Sequence, residues 1–357
     1  MNQQYDPALK STMDMNKPPL LEVRHLTKHF PVGSILKTRQ VHAVEDVSFR
    51  IERSQAVAVV GESGSGKSTT VRLIARLMPA TGGEIFFQGN DILKSEPKQA
   101  SLAYRRKVQM IFQDPFSSLN AAHTIEHHLS RPLIIHKVAG DKKNIQEKIY
   151  DLLSVVGLNP AQEYARRYPH QLSGGQRQRV AFARALAVNP ELILAYEPIS
   201  MLDVSIRIGI LNLMEQLKEE RGIAYVYITH DLASARYIGD KIMVMVAGHR
   251  VEGSGSEEIM GNPVHPYTQL LLSAVPDPHA GLRTRKNFGA RGEVPVLIDP
   301  PPGCPFTARC PKVMDACPQV MPGITFVQPG HWTRCHLFGP GKDTLEKMDL
   351  PVQPNSI

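Results

Sequence analysis

Cysteine is absent from the first 303 residues of this 357-residue chain, and its four copies all fall between Cys304 and Cys335. A disulfide-stapled secreted fold is thereby excluded for most of the sequence. Aromatic residues are only 6%, with one tryptophan, Trp332. Lys and Arg are scattered and not interleaved with aromatics, so the signature of a nucleic-acid platform is missing and no nucleic-acid partner is expected. No apolar run approaches the roughly 18 residues of a membrane-spanning helix. The opening MNQQYDPALKSTMDMNKPP has no apolar core, which argues against a secretory signal. A globular protein on the cytoplasmic side is the expectation, and a net charge of +7 fits weak attraction to an anionic membrane face.

What is present is a rhythm of strands and helices. Residues 1–19 are polar and expected to be disordered. LLEVRHLTKHF and VHAVEDVSFRI alternate apolar and polar residues at period two, as edge strands do. QAVAVVGESGSGKSTTVRLIARLM reads as buried strand, glycine-rich loop and amphipathic helix. Residues 123–168 have helical periodicity, broken at VGLNPAQ, within a helical insertion placed at about 114–178. RQRVAFARALAVN is a helix leading into the strand ELILA; IRIGILNLMEQLKEERG is a helix stopped by Gly222; AYVYITHD is a strand. This order predicts an α/β fold with a parallel sheet core, an antiparallel β edge and a helical subdomain over 20–275. A Pro/Gly/Arg-rich linker (276–303), a small cysteine-containing tail domain (304–340) and a flexible C-terminus (341–357) complete the expected organisation.

Gly61-Glu62-Ser63-Gly64-Ser65-Gly66-Lys67-Ser68 fits GxxxxGK[ST] between a strand and a helix. The glycines let the backbone curl so that successive N–H groups face phosphate oxygens, and the helix dipole adds positive potential. Lys67 would neutralise the β- and γ-phosphates, and the Ser68 hydroxyl, followed by Thr69, would ligate Mg²⁺. The pattern implies a nucleoside-triphosphate site.

Further elements follow in order: Gln113 in QMIFQDPFSSLN, Ser173-Gly174-Gly175-Gln176 in QLSGGQRQRV, Glu197 after ELILAY, Asp203 in SMLD and His230 in YVYITHD. This ordered set resembles the ATP-binding cassette family over roughly residues 20–275. The resemblance implies a P-loop nucleotide-binding domain that pairs head to tail with a second ATPase subunit, with ATP between them. By that likeness Phe30 in TKHF would stack on adenine, although an aromatic there also suits a plain core strand. Gln113 would contact Mg²⁺ or the attacking water. Ser173, Gly174, Gly175 and Gln176 would close over the partner's ATP, and Asp203 would link the two sites. Glu197 would act as general base, and His230 would hold the γ-phosphate and orient that base.

Against this pattern stands Tyr196. In the family the residue before the glutamate is normally an aspartate that holds Mg²⁺; here the pair is Tyr196-Glu197. A phenol is neutral near pH 7 and bulkier than a carboxylate. If one oxyanion-stabilising contact is a fair guide, about 10²–10³ in rate is at stake. Three accounts stand side by side: a degenerate site partnered with an intact one, an isolated substitution, or a compensating acid elsewhere.

HPYTQLLLSAVP, YPHQLSGGQRQRV, FQDPFSSLN and the cysteine tail resemble the oligopeptide/dipeptide permease branch. That implies a peripheral subunit at the inner face of the membrane. It would work with a related second ATPase, two membrane permease subunits and, indirectly, a substrate-binding protein. Peptides are the expected cargo, with oligosaccharides or nickel complexes as alternatives. Cys304, Cys310, Cys317 and Cys335 are separated by five, six and seventeen residues, unlike paired CxxC zinc sites. Thiolates in fours suit an iron–sulfur cluster or zinc, and unliganded thiols remain open. Some relatives of the branch carry a [4Fe–4S] cluster on similarly placed cysteines, which makes that cluster the leading expectation, with His336 a bystander.

Overall fold

The two period-two stretches pair with each other. In the structure, a computed structural model describing residues 18–34, 37–97, 99–114, 117–274 and 298–339, β1 (Leu21–Ser34) and β2 (Lys37–Ile51) form an antiparallel hairpin with Leu21 opposite Ile51 and Phe30 opposite Val41. Next come β3 (Ala56–Val60), the glycine-rich loop, and α1 (Lys67–Ile74). β4 (Gly82–Phe87), β5 (Asn90–Asp91), the short α2 (Ile92–Ser95) and α3 (Leu102–Lys107), and β6 (Val108–Ile111) follow. The helical insertion contains α4 (Ile125–Ile135), α5 (Lys142–Val155) and α6 (Ala161–Arg166), and returns through α7 (Gly174–Leu186). Then β7 (Leu192–Tyr196), α8 (Val204–Arg221), β8 (Ala224–Thr229), α9 (Leu232–Ile238), β9 (Lys241–Val246), β10 (His249–Gly255), α10 (Ser256–Gly261) and α11 (Pro266–Ser273) lead to the tail strands β11 (Thr325–Gln328) and β12 (His331–Thr333).

Among the described residues there are two sheets. The larger runs β11-β12-β10-β9-β3-β8-β7-β6; its strands from β9 to β6 are parallel, as the alternation with helices requires. The smaller runs β2-β1-β4-β5 and is antiparallel. The hairpin expected at an edge of the main sheet thus belongs to a sheet of its own, which packs on the other's face. Period-two alternation does the sorting. Val57, Val59, Leu192, Leu194, Val226 and Ile228 share one buried cluster with Val71 and Ile74 of α1 and with Leu21, Val23, Val44, Ile51 and Ile85 of the small sheet. Their neighbours Ala56, Ala58, Ile193, Ala195, Tyr225 and Tyr227 face the helices. Each such large apolar side chain contributes about 1.5–3 kcal/mol on burial, so parallel strands apolar on both faces are held from both sides. The insertion packs as a small bundle, with Ile125, Leu129, Leu133, Ile149 and Leu153 buried. Gly222 ends α8 in the left-handed conformation (φ 66°), the role its position predicts.

The cysteine segment is seated on the main body and adds two strands to the main sheet. β12 pairs with β10, placing Trp332 opposite Gly253; a Cβ at Gly253 would lie 2.5 Å from the indole, so only glycine fits. His331 Nε2 lies 2.7 Å from Glu252 Oε1 in full burial, and Ile298 bridges to Val41. A short segment has too little apolar surface for a core of its own, and it gains one by covering a sheet edge. The expected disordered start (1–19) lies outside the described residues except for Pro18 and Pro19. Most of the expected linker (276–303) and the expected C-terminus (341–357) also lie outside them. Among the described residues no helix is long and apolar enough to cross a membrane.

Candidate active site

The loop between β3 and α1 is curled by three glycines at positive φ: Gly61 (157°), Gly64 (81°) and Gly66 (97°). A Cβ on Gly66 would fall 2.4 Å from the Ala43 carbonyl oxygen, so the loop closes tightly against the start of the small sheet. Lys67 folds back over it, donating from Nζ to the carbonyls of Gly61 (2.7 Å) and Glu62 (2.8 Å) and to Ser65 Oγ (3.3 Å). Burial lowers its pKa to about 8, against the pull of Glu197 and Glu62. A buried ammonium that spends its donors on neutral carbonyls is poised for a stronger anionic acceptor. Ser63 and Gly64 are exposed at the tip, while Ser68 and Thr69 sit half-buried in the first turn of α1.

Three residues far apart in sequence converge beside this loop. Gln113, just beyond β6, donates from Nε2 to Glu197 Oε2 at 3.0 Å. His230, just beyond β8, places Nδ1 3.4 Å from Glu197 Oε1. The parallel strands β6, β7 and β8 end side by side, which is why residues at their carboxyl ends meet. Glu197 is 14% exposed and His230 60%, so the pair opens to solvent on one side. Glu197 holds φ at 43°, an unfavourable backbone region for a non-glycine residue, of the kind that concentrates at functional sites. Tyr196 ends β7 opposite Ile228, and its ring packs half-buried against the core beneath the small sheet. With an aromatic ring there, the position offers no carboxylate.

The remaining candidates lie on other faces. Ser173 caps α7 in a reciprocal box: its hydroxyl accepts from Gln176 N (3.3 Å) and Gln176 Oε1 accepts from Ser173 N (3.0 Å). Ser173 is exposed, Gly174 half-buried and Gly175 buried. A Cβ on Gly175 would strike the Ile206 side chain at 2.4 Å, so that glycine serves helix packing. Asp203 is exposed at the start of α8. Among the described residues, no hydrogen bond or ion pair joins it or the Ser173 segment to the Lys67–Gln113–Glu197–His230 group. Phe30 is half-buried, with Lys28 Nζ 4.9 Å above its ring.

Two residues escaped the sequence reading. Arg309, in the cysteine segment, grips Glu62 of the loop through Nη1–Oε2 (2.6 Å) and Nη2–Oε1 (2.8 Å). Tyr267 accepts from the Glu62 backbone N–H at 2.9 Å. The Arg309 hydrogen bonds hold the Glu62 carboxyl below its ordinary pKa. Separations of 247 and 205 residues left no local signal for either contact. His29, His42 and Glu45 also converge, but His29 Nε2 (2.6 Å) and His42 Nδ1 (2.9 Å) both lie against one Glu45 oxygen, a self-contained hydrogen-bonded group.

The four cysteines are in no disulfide and line one small cavity with Phe306 and His265. Burial raises the thiol pKa values, that of Cys304 to about 11 and those of Cys310 and Cys335 in the same direction, with the neighbouring thiols adding to the rise. No three of these thiols lie within 4.8 Å of one another. That spread exceeds the closed zinc tetrahedron, where bonds of about 2.3 Å put sulfurs about 3.8 Å apart. His336 Nε2 is 2.9 Å from the Val320 carbonyl oxygen, in keeping with a bystander.

A family model described as ABC transporter matches residues 44–200, and one described as oligopeptide/dipeptide transporter, C-terminal region, matches 251–317. The oligopeptide transport ATP-binding protein AppF of Bacillus subtilis (strain 168) is 43% identical over 327 residues, which are 90% of this chain and 98% of the relative. This chain belongs to the ABC transporter family, in its oligopeptide/dipeptide branch. The dipeptide transport ATP-binding protein DppF of Escherichia coli (strain K12) is 45% identical over 308 residues, 86% of this chain and 91% of the relative. A solved dimer of the ATP-binding cassette MJ0796 bound to ADP and Pi superposes with a TM-score of 0.58 at 30% identity, covering 66% of this chain and 98% of that one. The phosphate loop, Gln113, the Ser173 segment and Glu197 of this cassette all lie inside the first matched region, and Tyr267 and the first three cysteines inside the second.

Proposed function

We propose that this cassette is the ATP-binding subunit of a peptide importer, coupling ATP binding and hydrolysis to uptake through two partner membrane subunits. The observation that carries the reading is the convergence of Gln113 and His230 on Glu197 beside the Lys67 loop. Peptide cargo and a membrane-associated assembly rest on the relatives' names, oligopeptide and dipeptide transport ATP-binding proteins.

The phosphate loop N–H groups and Lys67 hold the triphosphate, Lys67 exchanging neutral carbonyls for phosphate oxygens. Phe30 stacks against the adenine. The Ser68 hydroxyl and the Gln113 carbonyl oxygen, left available when its Nε2 donates to Glu197, are the donors for Mg²⁺, with Thr69 behind them. When bound, that ion neutralises charge on the β- and γ-phosphate oxygens. Glu197 takes a proton from the attacking water, and His230 steadies Glu197 and the γ-phosphate. Exposed Ser173, with Gly174, Gly175 and Gln176 at the start of the same helix, suits a second cassette's ATP, as does exposed Asp203. A head-to-tail pair of cassettes therefore completes each site, in line with the dimeric MJ0796 cassette.

A second reading is favoured by one residue. With Tyr196 in place of a carboxylate, Ser68 and Gln113 are the cation donors that remain, so this site binds ATP and turns it over slowly, and closure of the pair depends on binding here and on hydrolysis in the partner's site. That all four cysteines line one cavity supports the reading of a cluster there. Cys304, Cys310 and Cys335, whose thiol pKa values burial raises, need positive charge nearby to become thiolates, and no three of the four thiols lie as close together as a single zinc ion would draw them. Cys304, Cys310, Cys317 and Cys335 would hold a [4Fe–4S] cluster in a structural role.

ATP-driven peptide uptake into vesicles containing the assembled transporter tests the importer reading. Uptake should require ATP and fall to background with Lys67→Ala. Unchanged uptake in that variant would refute the role given to the loop.

A further inference from the structure

Glu62 is an awkward residue for a phosphate loop. Its backbone is part of the glycine-rich loop and its carboxylate bears electrostatically on Lys67; left bare, that negative charge would oppose the binding of a triphosphate to the same loop. The loop is also intrinsically pliable, with three glycines at positive φ within six residues. Both problems are met from later in the chain, by Arg309 of the cysteine segment and by Tyr267 of α11.

Arg309 caps the Glu62 carboxylate in a bidentate pair, Nη1–Oε2 at 2.6 Å and Nη2–Oε1 at 2.8 Å, and the guanidinium side chain is only 10% exposed. The same loop residue donates its N–H to the buried Tyr267 hydroxyl at 2.9 Å. Tyr267 and Arg309 are themselves joined through Phe306: the Tyr267 and Phe306 rings meet edge to face at 5.2 Å, and the Arg309 guanidinium lies 5.7 Å from the Phe306 centroid. Phe306 and Arg309 lie within the turn between Cys304 and Cys310, where Arg309 N donates to the Phe306 carbonyl at 3.0 Å. Meanwhile Lys67 Nζ donates to the Glu62 carbonyl at 2.8 Å. One continuous set of contacts thus runs from the cysteine turn to the lysine that meets the phosphates.

We propose that Arg309 is a positioning residue for ATP: by neutralising and fixing Glu62, the cysteine segment sets the affinity of the phosphate loop. The inference rests on the reading of that loop as the ATP site. A fork-shaped donor is suited to this task because a bidentate pair fixes direction as well as charge. Holding the loop in its bound shape before ATP arrives also lowers the ordering cost of binding.

The test measures ATP affinity of the full chain by titration with a fluorescent ATP analogue, for wild type, Arg309→Gln, Arg309→Lys and the double variant Glu62→Gln/Arg309→Gln. Melting temperature is read in parallel. Arg309→Gln should weaken binding about tenfold or more, within the usual range for coupled sites, because a bare carboxylate is left on the loop. Arg309→Lys should fall between. The double variant should recover most of the lost affinity, which a tail that merely unfolds would not do. Wild-type affinity in Arg309→Gln, or no recovery in the double variant, would overturn the inference while the ATP site stands. A wild-type chain with no ATP affinity would overturn the nucleotide reading and this inference with it.

Discussion

Lys67 and Tyr196 pull the site in opposite directions. Lys67 is a cation held in burial, with its pKa lowered to about 8 and its donors turned onto carbonyls. Bound phosphates would keep that proton on, so ATP binding draws on a protonated lysine that the free protein begins to lose near pH 8. Affinity for ATP should therefore decline as pH rises through about 8 and keep declining toward pH 9.5, as titrations at matched ionic strength would reveal; a flat profile would contradict the buried lysine. The sign for folding is the reverse: the unfolded chain holds this proton up to about 10.5, so the Lys67 contribution to ligand-free stability rises between about pH 8 and 10.5. Tyr196 needs no titration to matter. It is an aromatic ring packed against the core at the end of β7, directly before Glu197, and it offers no carboxylate to a cation. Both residues are legible from sequence, one from a motif and one from a departure. The approach of His230 to Glu197 matches the place the family resemblance gives it, whereas the hydrogen bond from Gln113 to Glu197 is a contact the sequence did not offer.

At the scale of elements, strands and helices follow their periodicity closely where burial is one-sided or complete. β3, β7 and β8 fall on the expected apolar runs, α8 stops at Gly222, and α7 begins at the Ser173 cap. Strand partnership is less legible. LLEVRHLTKHF carries the alternation of a half-buried strand, but alternation states which face is buried and not against which sheet. The cysteine segment is hardest to read, since its fold comes from contacts outside it: Trp332 against Gly253, His331 against Glu252, Arg309 against Glu62. Cys304 lines the cysteine cavity, and its N–H donates to the Cys317 carbonyl (2.7 Å). With the cluster in place, protein prepared without oxygen should be brown with absorbance near 400 nm, and Cys304→Ser should lose both. A colourless wild type carrying zinc would contradict the cluster.

Over the whole molecule, the nucleotide site is assembled from both ends of the chain. The small sheet closes over the loop from residues 21–51, with Ala43 against Gly66. The cysteine segment grips the same loop from beyond residue 300 and lengthens the main sheet through β12. Ser173 and Asp203 are exposed, and in the proposed function they serve a second cassette. Family membership was visible in the order of five short motifs, whereas the hold of the tail on the loop needed the folded chain. In that proposal catalysis belongs to a pair, and Tyr196 is the residue whose replacement tests it. The most direct test is Mg²⁺-dependent ATP hydrolysis by the assembled transporter, with Tyr196 and with Tyr196→Asp, alongside ATP affinity. Restoring the carboxylate should raise the rate about 10²–10³-fold with affinity little changed, the usual scale for one charge-stabilising contact. Equal hydrolysis by both forms would contradict the place given to Tyr196 in limiting this site.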